Sequence, residues 1–132
     1  EAQVAEERGV IAQVFHKRLD LGYRLGADPT VKYAMGRANR RLSLRDIEID
    51  SPYNTYMYYG LPPGPICSPG EDAIRASLWP ADTNYLYFVA NWDGTHTFTK
   101  TLREHNRAKE VSERRYWEWR REQRRREAEQ GG

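Results

Sequence analysis

The stretch that most constrains this chain is Ser51 to Gly70, SPYNTYMYYGLPPGPICSPG. Its prolines at 62, 63, 65 and 69 fix φ and remove backbone donors, so the stretch cannot form one regular helix or an inner strand. We expect Leu61 to Pro65 to form an extended, polyproline-like ledge. Tyrosine, asparagine and threonine side chains precede the ledge, and they suit a sugar or a peptide. The structural alternative is a stiff loop that packs its tyrosines on the core.

Composition indicates one globular domain. The chain has 132 residues, of which 39% are hydrophobic and 30% charged, and its formal charge is +2. This mild basicity does not by itself indicate nucleic acid. Cys67 is the only cysteine, which excludes an intrachain disulfide and a Cys-based metal site. No apolar run approaches the roughly 18 to 20 residues of a membrane span, and no signal peptide is present. Because the chain starts at Glu1 without Met, we expect it to derive from something longer that carries any anchor.

Helices are predicted before the proline-rich stretch. Apolar residues recur at helical spacing over residues 3 to 20, and Gly22 is a suitable stop. Early in this helix, Glu7 and Arg8 are expected to form an exposed ion pair. Asp28 is predicted to cap a second helix that has Pro29 at its first position and ends near Gly36. A capping box between Ser43 and Asp46 predicts another brief turn.

After the stretch, the pattern predicts a helix, a hairpin and a long helix. Ser68-Pro69 repeats the cap-plus-proline device for a helix that ends before Pro80. Residues 85 to 90 and 95 to 99 are predicted strands joined by the turn signal Asp93-Gly94. Thr101 is predicted to cap a helix over roughly 102 to 128, nearly all Arg, Glu and Gln beyond Trp119. The predicted class is therefore α+β, with helices packed around a small antiparallel hairpin.

Most chemical signatures are missing from the sequence. The three histidines, His16, His96 and His105, have no metal-ligand spacing, and structural roles are expected for them. There is no GxSxG, P-loop or GxGxxG, so we predict no cofactor and no metal. Glutamates interleave with the arginines of the last helix and cancel much of its field, which disfavours nucleic acid.

Carboxylates remain as candidate catalytic groups. Acid catalysis on a glycosidic bond uses a carboxyl group, and many glycosidases use a pair of them. Spacing alone does not choose among the candidates, which are Glu1, Glu7, Asp28, Asp50 and Asp93.

Several segments taken together resemble a known family. They are EAQVAEERGVIAQVFHKRL, YRLGADPTVKYAMG, the stretch from Ser51 to Gly70, YLYFVA with GTHTF, and the HN of the last helix. In this order, from Glu1 to about Asn106, they are similar to the YceG-like (MltG) endolytic murein transglycosylases. The resemblance implies that residues 1–110 are part of a YceG-like, lysozyme-like catalytic domain. Residues 111–132 are then a charged helical extension.

The resemblance implies lytic cleavage of nascent peptidoglycan after N-acetylmuramic acid, leaving a 1,6-anhydro ring. One carboxyl group acts as acid and then as base, so neither a second carboxylate nor a metal is needed. Glu1 is the position that matches the family's catalytic glutamate. An ammonium group on Glu1 itself would lower the pKa of its carboxyl, so the isolated piece is expected to be weak or inactive.

Supporting roles follow from the same resemblance. Tyr53, Asn54 and Thr55 are predicted to bind sugar groups, Tyr56 to orient Glu1 or stack on a ring, and His96 to line the groove. For Asp28 we favour helix capping alone.

The implied location is the outer face of the cytoplasmic membrane. The implied partners are glycan strands and cell-wall synthases, with membrane attachment only through a segment outside this chain. Two alternatives stay open: a non-catalytic glycan-binding piece and, less favoured, a basic helical module for nucleic acid.

Overall fold

The computed structural model describes residues 5–36 and 41–131. Helices surround one two-stranded sheet, and the predicted α+β class with a long C-terminal helix is confirmed. In chain order the elements are α1 (Ala5–Asp20), α2 (Asp28–Met35), a 3₁₀ turn (Asp46–Glu48), α3 (Glu71–Leu78), β1 (Tyr87–Ala90), β2 (His96–Thr99) and α4 (Leu102–Gly131). Because α4 continues through residues 110 and 111 without a break, the division of the chain at that point stays a prediction.

Glycines end the first two helices, as predicted. Gly22 follows α1 with φ +73°, and the next N–H, that of Tyr23, donates to the carbonyl of Arg18 at 2.8 Å. Gly36 takes φ +67° after α2 and donates its own N–H to the last turn. Both glycines adopt the left-handed conformation that closes a helix at low steric cost.

Two of the predicted helix caps form. The Thr101 hydroxyl accepts the Glu104 N–H at 3.2 Å and donates to the Glu104 carboxylate at 2.9 Å. Ser43 and Asp46 exchange the equivalent pair of bonds at 2.8 and 3.1 Å. Each pair satisfies donors that the first turn of a helix otherwise leaves open.

Two other predicted caps are wrong. Asp28 is the first residue of α2, Ala27 is the cap, and no side chain caps the helix. The Asp28 carboxylate instead accepts the hydroxyl of Tyr56, a contact that local sequence does not reveal. At α3 the cap is Gly70 rather than Ser68, again without a side-chain bond.

The hairpin forms with the predicted turn but with shorter strands. β1 and β2 are antiparallel, with Tyr87 opposite Thr99 and Ala90 opposite His96. The first strand starts at Tyr87 instead of residue 85, because the backbone groups of Tyr85 form hydrogen bonds with the Gln13 side chain. It donates to the Tyr85 carbonyl at 3.0 Å and accepts its N–H at 3.0 Å.

The hydrophobic core is small and is contributed by α1, α2 and the residues directly before α2 and β1. Its buried residues are Ile11, Val14, Leu25, Val31 and Leu86. Phe15 of α1 meets Phe88 of β1 edge-on, with ring centroids 5.5 Å apart. A two-stranded hairpin gains its stability from such a helix contact.

Across the described parts of the chain, no helix has both the length and the apolar character that crossing a membrane requires.

Arg18 connects three parts of this fold. Its Nε donates to the Leu86 carbonyl at 2.8 Å, and its Nη1 donates to the Leu25 carbonyl. The guanidinium also lies over the rings of Tyr87 and Phe88, at 5.7 and 5.9 Å from their centroids. Burial lowers the pKa of Arg18, which marks the cost of desolvating the charge. The two carbonyls and two aromatic faces offset that cost.

We expect Arg18→Met to lower the free energy of unfolding by about 2–4 kcal/mol, because it leaves two carbonyls without their donor. Urea unfolding followed by circular dichroism measures the change. The matched control is Arg114→Ala on the exposed side of α4, expected to stay within about 0.5 kcal/mol of wild type. Equal loss in both variants would contradict the role of Arg18.

Candidate functional site

Asn54 lies inside the proline-rich loop rather than on its surface. Its side chain is 0% exposed. The amide donates to the carbonyls of Ile47 and Ile49 at 2.9 and 2.7 Å, and its oxygen accepts the Tyr56 N–H at 3.0 Å. All these partners are backbone groups, so Asn54 holds the loop against the preceding turn.

Thr55 fastens the same loop to the start of α2. It is 2% exposed, and its hydroxyl accepts the Ala27 N–H at 2.8 Å and lies 2.9 Å from the hydroxyl of Thr30. The Thr55 carbonyl accepts the Gly26 N–H at 3.0 Å. Asn54 and Thr55, both predicted to bind sugar, therefore face the interior in this structure. A ligand does not reach these side chains unless the loop moves.

The neighbouring tyrosines remain accessible. Tyr53 and Tyr56 are each half-buried. The ring of Tyr53 lies 4.9 Å from that of Tyr33, and the Tyr56 hydroxyl donates to Asp28. These rings form the part of the predicted site that solvent, and therefore a ligand, can touch.

The backbone beside Tyr56 favours glycine at position 26. Gly26 has φ +55°, in the left-handed region that other residues rarely adopt. A Cβ at this position would lie 3.4 Å from the Tyr56 ring, an ordinary contact distance.

Glu7 and His96 form a pair that joins α1 to the hairpin. One Glu7 oxygen accepts the backbone N–H of His96 at 3.0 Å, and the other lies 3.0 Å from its Nδ1. The two side chains are 16% and 7% exposed. The predicted Glu7–Arg8 ion pair is therefore wrong, since Arg8 instead lies 3.5 Å from Asp72 of α3. Contacts between residues so distant in sequence have no local signal.

The predicted site residues fall into two groups. Asn54, Thr55 and Tyr56 lie beside α2, whereas His96 lies against α1. Arg18 is close enough to Tyr56 for the tyrosine to influence its pKa, and it also bonds to the hairpin. Glu1 lies outside the described residues, and α1 begins at Ala5.

A cavity of about 520 Å³ lies elsewhere, between α1 and α3. Arg8, Asp72, Arg75 and Trp79 line its sides. The sequence pattern did not predict this cleft. One feature of the sequence points to it: Trp79 directly precedes Pro80, where a helix is expected to end, so its large side chain is expected at a helix terminus.

His105 has a structural position at the base of the hairpin. Its ring stacks on Tyr87 at 4.9 Å, and its buried Nδ1 has no hydrogen-bond partner among the described residues. Burial, with smaller effects of Lys109 and Arg18, lowers the pKa of His105 to about 4. Among residues 5–36 and 41–131, no three His, Cys, Asp or Glu side chains gather as a metal site.

Comparison with known proteins identifies the protein family that this chain resembles. A family model described as the YceG-like family matches residues 1–111. An "Endolytic murein transglycosylase" of Bacillus subtilis is 51% identical over 110 residues, covering 83% of this chain and 31% of the relative. A protein with the same description in Streptococcus pneumoniae D39 is 37% identical over 113 residues, covering 81% and 20% respectively.

A solved structure agrees with these matches. A YceG-like protein of Listeria monocytogenes superposes with a TM-score of 0.73 at 47% identity, covering 81% of this chain and 34% of that one. The chain belongs to the YceG-like family, and the resemblance found in the sequence is confirmed. It spans about a third or less of each of these relatives.

We expect Glu7→Ala to destabilise the protein by about 1–3 kcal/mol, because the buried His96 N–H loses its acceptor. Glu7→Gln keeps an acceptor oxygen and should recover part of the loss. Urea unfolding measures both, with Glu6→Ala on the exposed face as the matched control. If Glu6→Ala costs as much as Glu7→Ala, the pairing with His96 does not stabilise the fold.

His105 predicts a pH dependence of stability. Its folded pKa of about 4 lies below the ordinary histidine value of 6.5. Between these two pH values the unfolded chain binds the extra proton, so stability falls as pH falls. His105→Phe keeps the stacking and removes this contribution. Urea unfolding at about pH 7 and about pH 4.5 should show wild type losing more stability than the variant. Parallel losses would contradict the low pKa.

Proposed function

We propose that this protein takes part in endolytic murein transglycosylation. The observation that carries the proposal is the match of residues 1–111 to the YceG-like family. Its support is the 51% identity to a relative described as an endolytic murein transglycosylase. The proposed substrate is the peptidoglycan glycan strand, cut at the β-1,4 bond after N-acetylmuramic acid.

The proposed mechanism needs one carboxyl group. Glu1 donates its proton to the glycosidic oxygen as the bond from C1 to that oxygen breaks. The resulting carboxylate then takes the proton of the muramyl C6 hydroxyl, whose oxygen bonds to C1. A 1,6-anhydro ring forms, Glu1 regains its proton, and no water is consumed.

The helix that follows Glu1 is suited to support such a group. α1 is attached to the hairpin side of the molecule by Glu7, Gln13 and Arg18, each through hydrogen bonds to backbone groups. A catalytic group works best on an element whose position its supporting contacts determine. These three contacts are spread along α1 from its first turn to its last, and α1 follows the segment that carries Glu1.

The loop contributes shape and aromatic surface in this proposal. Tyr53 and Tyr56 are the proposed direct sugar contacts because their rings are accessible. Asn54 and Thr55 act by holding the backbone around them, and His96 acts through its bond to Glu7. This assignment divides the predicted site into contacting and positioning residues.

We place this activity in the cell envelope, at the outer face of the cytoplasmic membrane, where nascent strands emerge. Cell-wall synthases are the proposed partners, because they make the strands to be cut. A glycan-binding role without an effective acid is the second candidate. It is favoured by the cleft between α1 and α3, which offers a binding surface lined by none of the residues proposed for catalysis or sugar binding.

We expect Glu1→Gln to abolish cleavage, with at least a hundredfold loss of rate, because Gln neither donates nor accepts the required proton. The assay digests uncrosslinked glycan strands with the longest form of the protein that its gene encodes. Mass spectrometry then identifies the ends. Wild type should release anhydromuramyl ends.

The control is Glu6→Gln, an exposed neighbour in α1, which should retain full activity. Reducing ends from the wild type would mean hydrolysis and overturn the lytic mechanism. Full activity of Glu1→Gln would place the acid elsewhere. Binding of strands without any cleavage by the wild type would favour the second candidate.

A further inference from the structure

The cleft between α1 and α3 has one aromatic residue, Trp79, on its wall. Trp79 is 69% exposed, although it lines the cavity directly. The backbone N–H of Trp79 donates to the Arg75 carbonyl at 2.9 Å. Two residues later, the backbone N–H of Ala81 donates to the Gly9 carbonyl at 3.0 Å. The backbone is therefore held on both sides of Trp79, whose indole is largely exposed to solvent.

Small residues line the cleft and the place where α1 meets the segment after α3. A Cβ at Gly9 would lie 3.4 Å from both the nitrogen and the Cβ of Ala81, which is ordinary van der Waals contact. Ala5 and Ala76 also line the cavity. At about 520 Å³, its volume lies within the usual range of small-molecule sites.

Polar side chains line the same cavity as Trp79, and they form exposed ion pairs. Arg8 lies 3.5 Å from Asp72, and Arg75 lies 2.8 Å from Glu71. The carboxylates are 78% and 82% exposed, and ion pairs in such positions contribute little stability. Breaking these ion pairs therefore costs little free energy, and the arginines and carboxylates can form hydrogen bonds with a ligand instead.

We propose that this cleft is a carbohydrate subsite that takes one hexosamine ring of a glycan strand. The apolar face of the ring lies against Trp79, as expected for an exposed aromatic platform. Arg8 and Arg75 donate to its ring substituents, and Asp72 accepts from its hydroxyl groups. Nothing in the proposed catalytic assignment uses these residues, and Trp79 gives the subsite its strength.

The identity of the ligand rests on the proposed function, whereas the cleft itself does not. Ala5 lines the cavity and follows Glu1 by four residues. Along the sequence, the cleft therefore begins four residues after the proposed acid.

The test is a titration of ¹⁵N-labelled protein with soluble oligomers of N-acetylglucosamine and, separately, with uncrosslinked muramyl glycan fragments. The Trp79 indole signal should shift on binding. Trp79→Ala should weaken binding at least tenfold, and Trp79→Phe should restore most of it by keeping an aromatic face. Arg75→Met should weaken binding severalfold.

The matched control is Trp117→Ala, a half-exposed tryptophan on α4, which should bind within twofold of wild type. Equal binding by Trp79→Ala and wild type, or shifts confined to the other indoles, would overturn the subsite. Since Trp79 is largely exposed, circular dichroism should show both alanine variants folded. Unfolding of Trp79→Ala would show a packing role for this indole and overturn the proposal.

The two proposals fail in different ways. Loss of the Trp79 effect while anhydromuramyl ends still form removes the subsite and leaves the activity. Absence of those ends, with Trp79-dependent binding intact, removes the activity and leaves a carbohydrate site. If both hold, Trp79→Ala should raise KM with little change in kcat, because Trp79 takes no part in the proposed proton transfers and is expected to contribute uniform binding.

Discussion

The fold depends on one partly buried guanidinium. Arg18 bonds to the carbonyls on both sides of the core, those of Leu25 and Leu86. The residues after Leu25 then bond to the proline-rich loop, since Gly26 and Ala27 donate to Thr55. The position of the loop is thus coupled through a few bonds to the same charge that positions the hairpin. A cation suits this place because two carbonyls and two aromatic faces all present negative charge to it.

Polar side chains in the candidate site are used mainly for positioning. Asn54 and Thr55 form hydrogen bonds with backbone groups, and Glu7 forms hydrogen bonds with His96. Accessible surface is left to aromatic rings, those of the loop and that of Trp79. This division suits a polymeric ligand with weakly polar faces, because flat rings supply contact area while the buried network keeps them in register.

Features set by neighbouring residues were predictable from the sequence, and features set by distant contacts were not. Gly22 and the Thr101 cap depend on one helix turn, and both appear as expected. Asp28 was misjudged because Tyr56, 28 residues away, takes its carboxylate. Glu7 was misjudged for the same reason, since His96 lies 89 residues further along the chain. The resemblance gave the family, yet it did not reveal that Asn54 and Thr55 face inward.

The uninterrupted course of α4 has a geometric consequence. The family match ends at residue 111, and α4 continues to Gly131, which adds about 30 Å of helix at 1.5 Å per residue. A continuous helix transmits direction as well as distance. Its far end therefore has a defined rotational phase relative to the hairpin, and inserting one residue near Val111 would turn everything beyond it by about 100°. In the charged extension, any insertion or deletion therefore changes the length of the helix and the direction of its faces together.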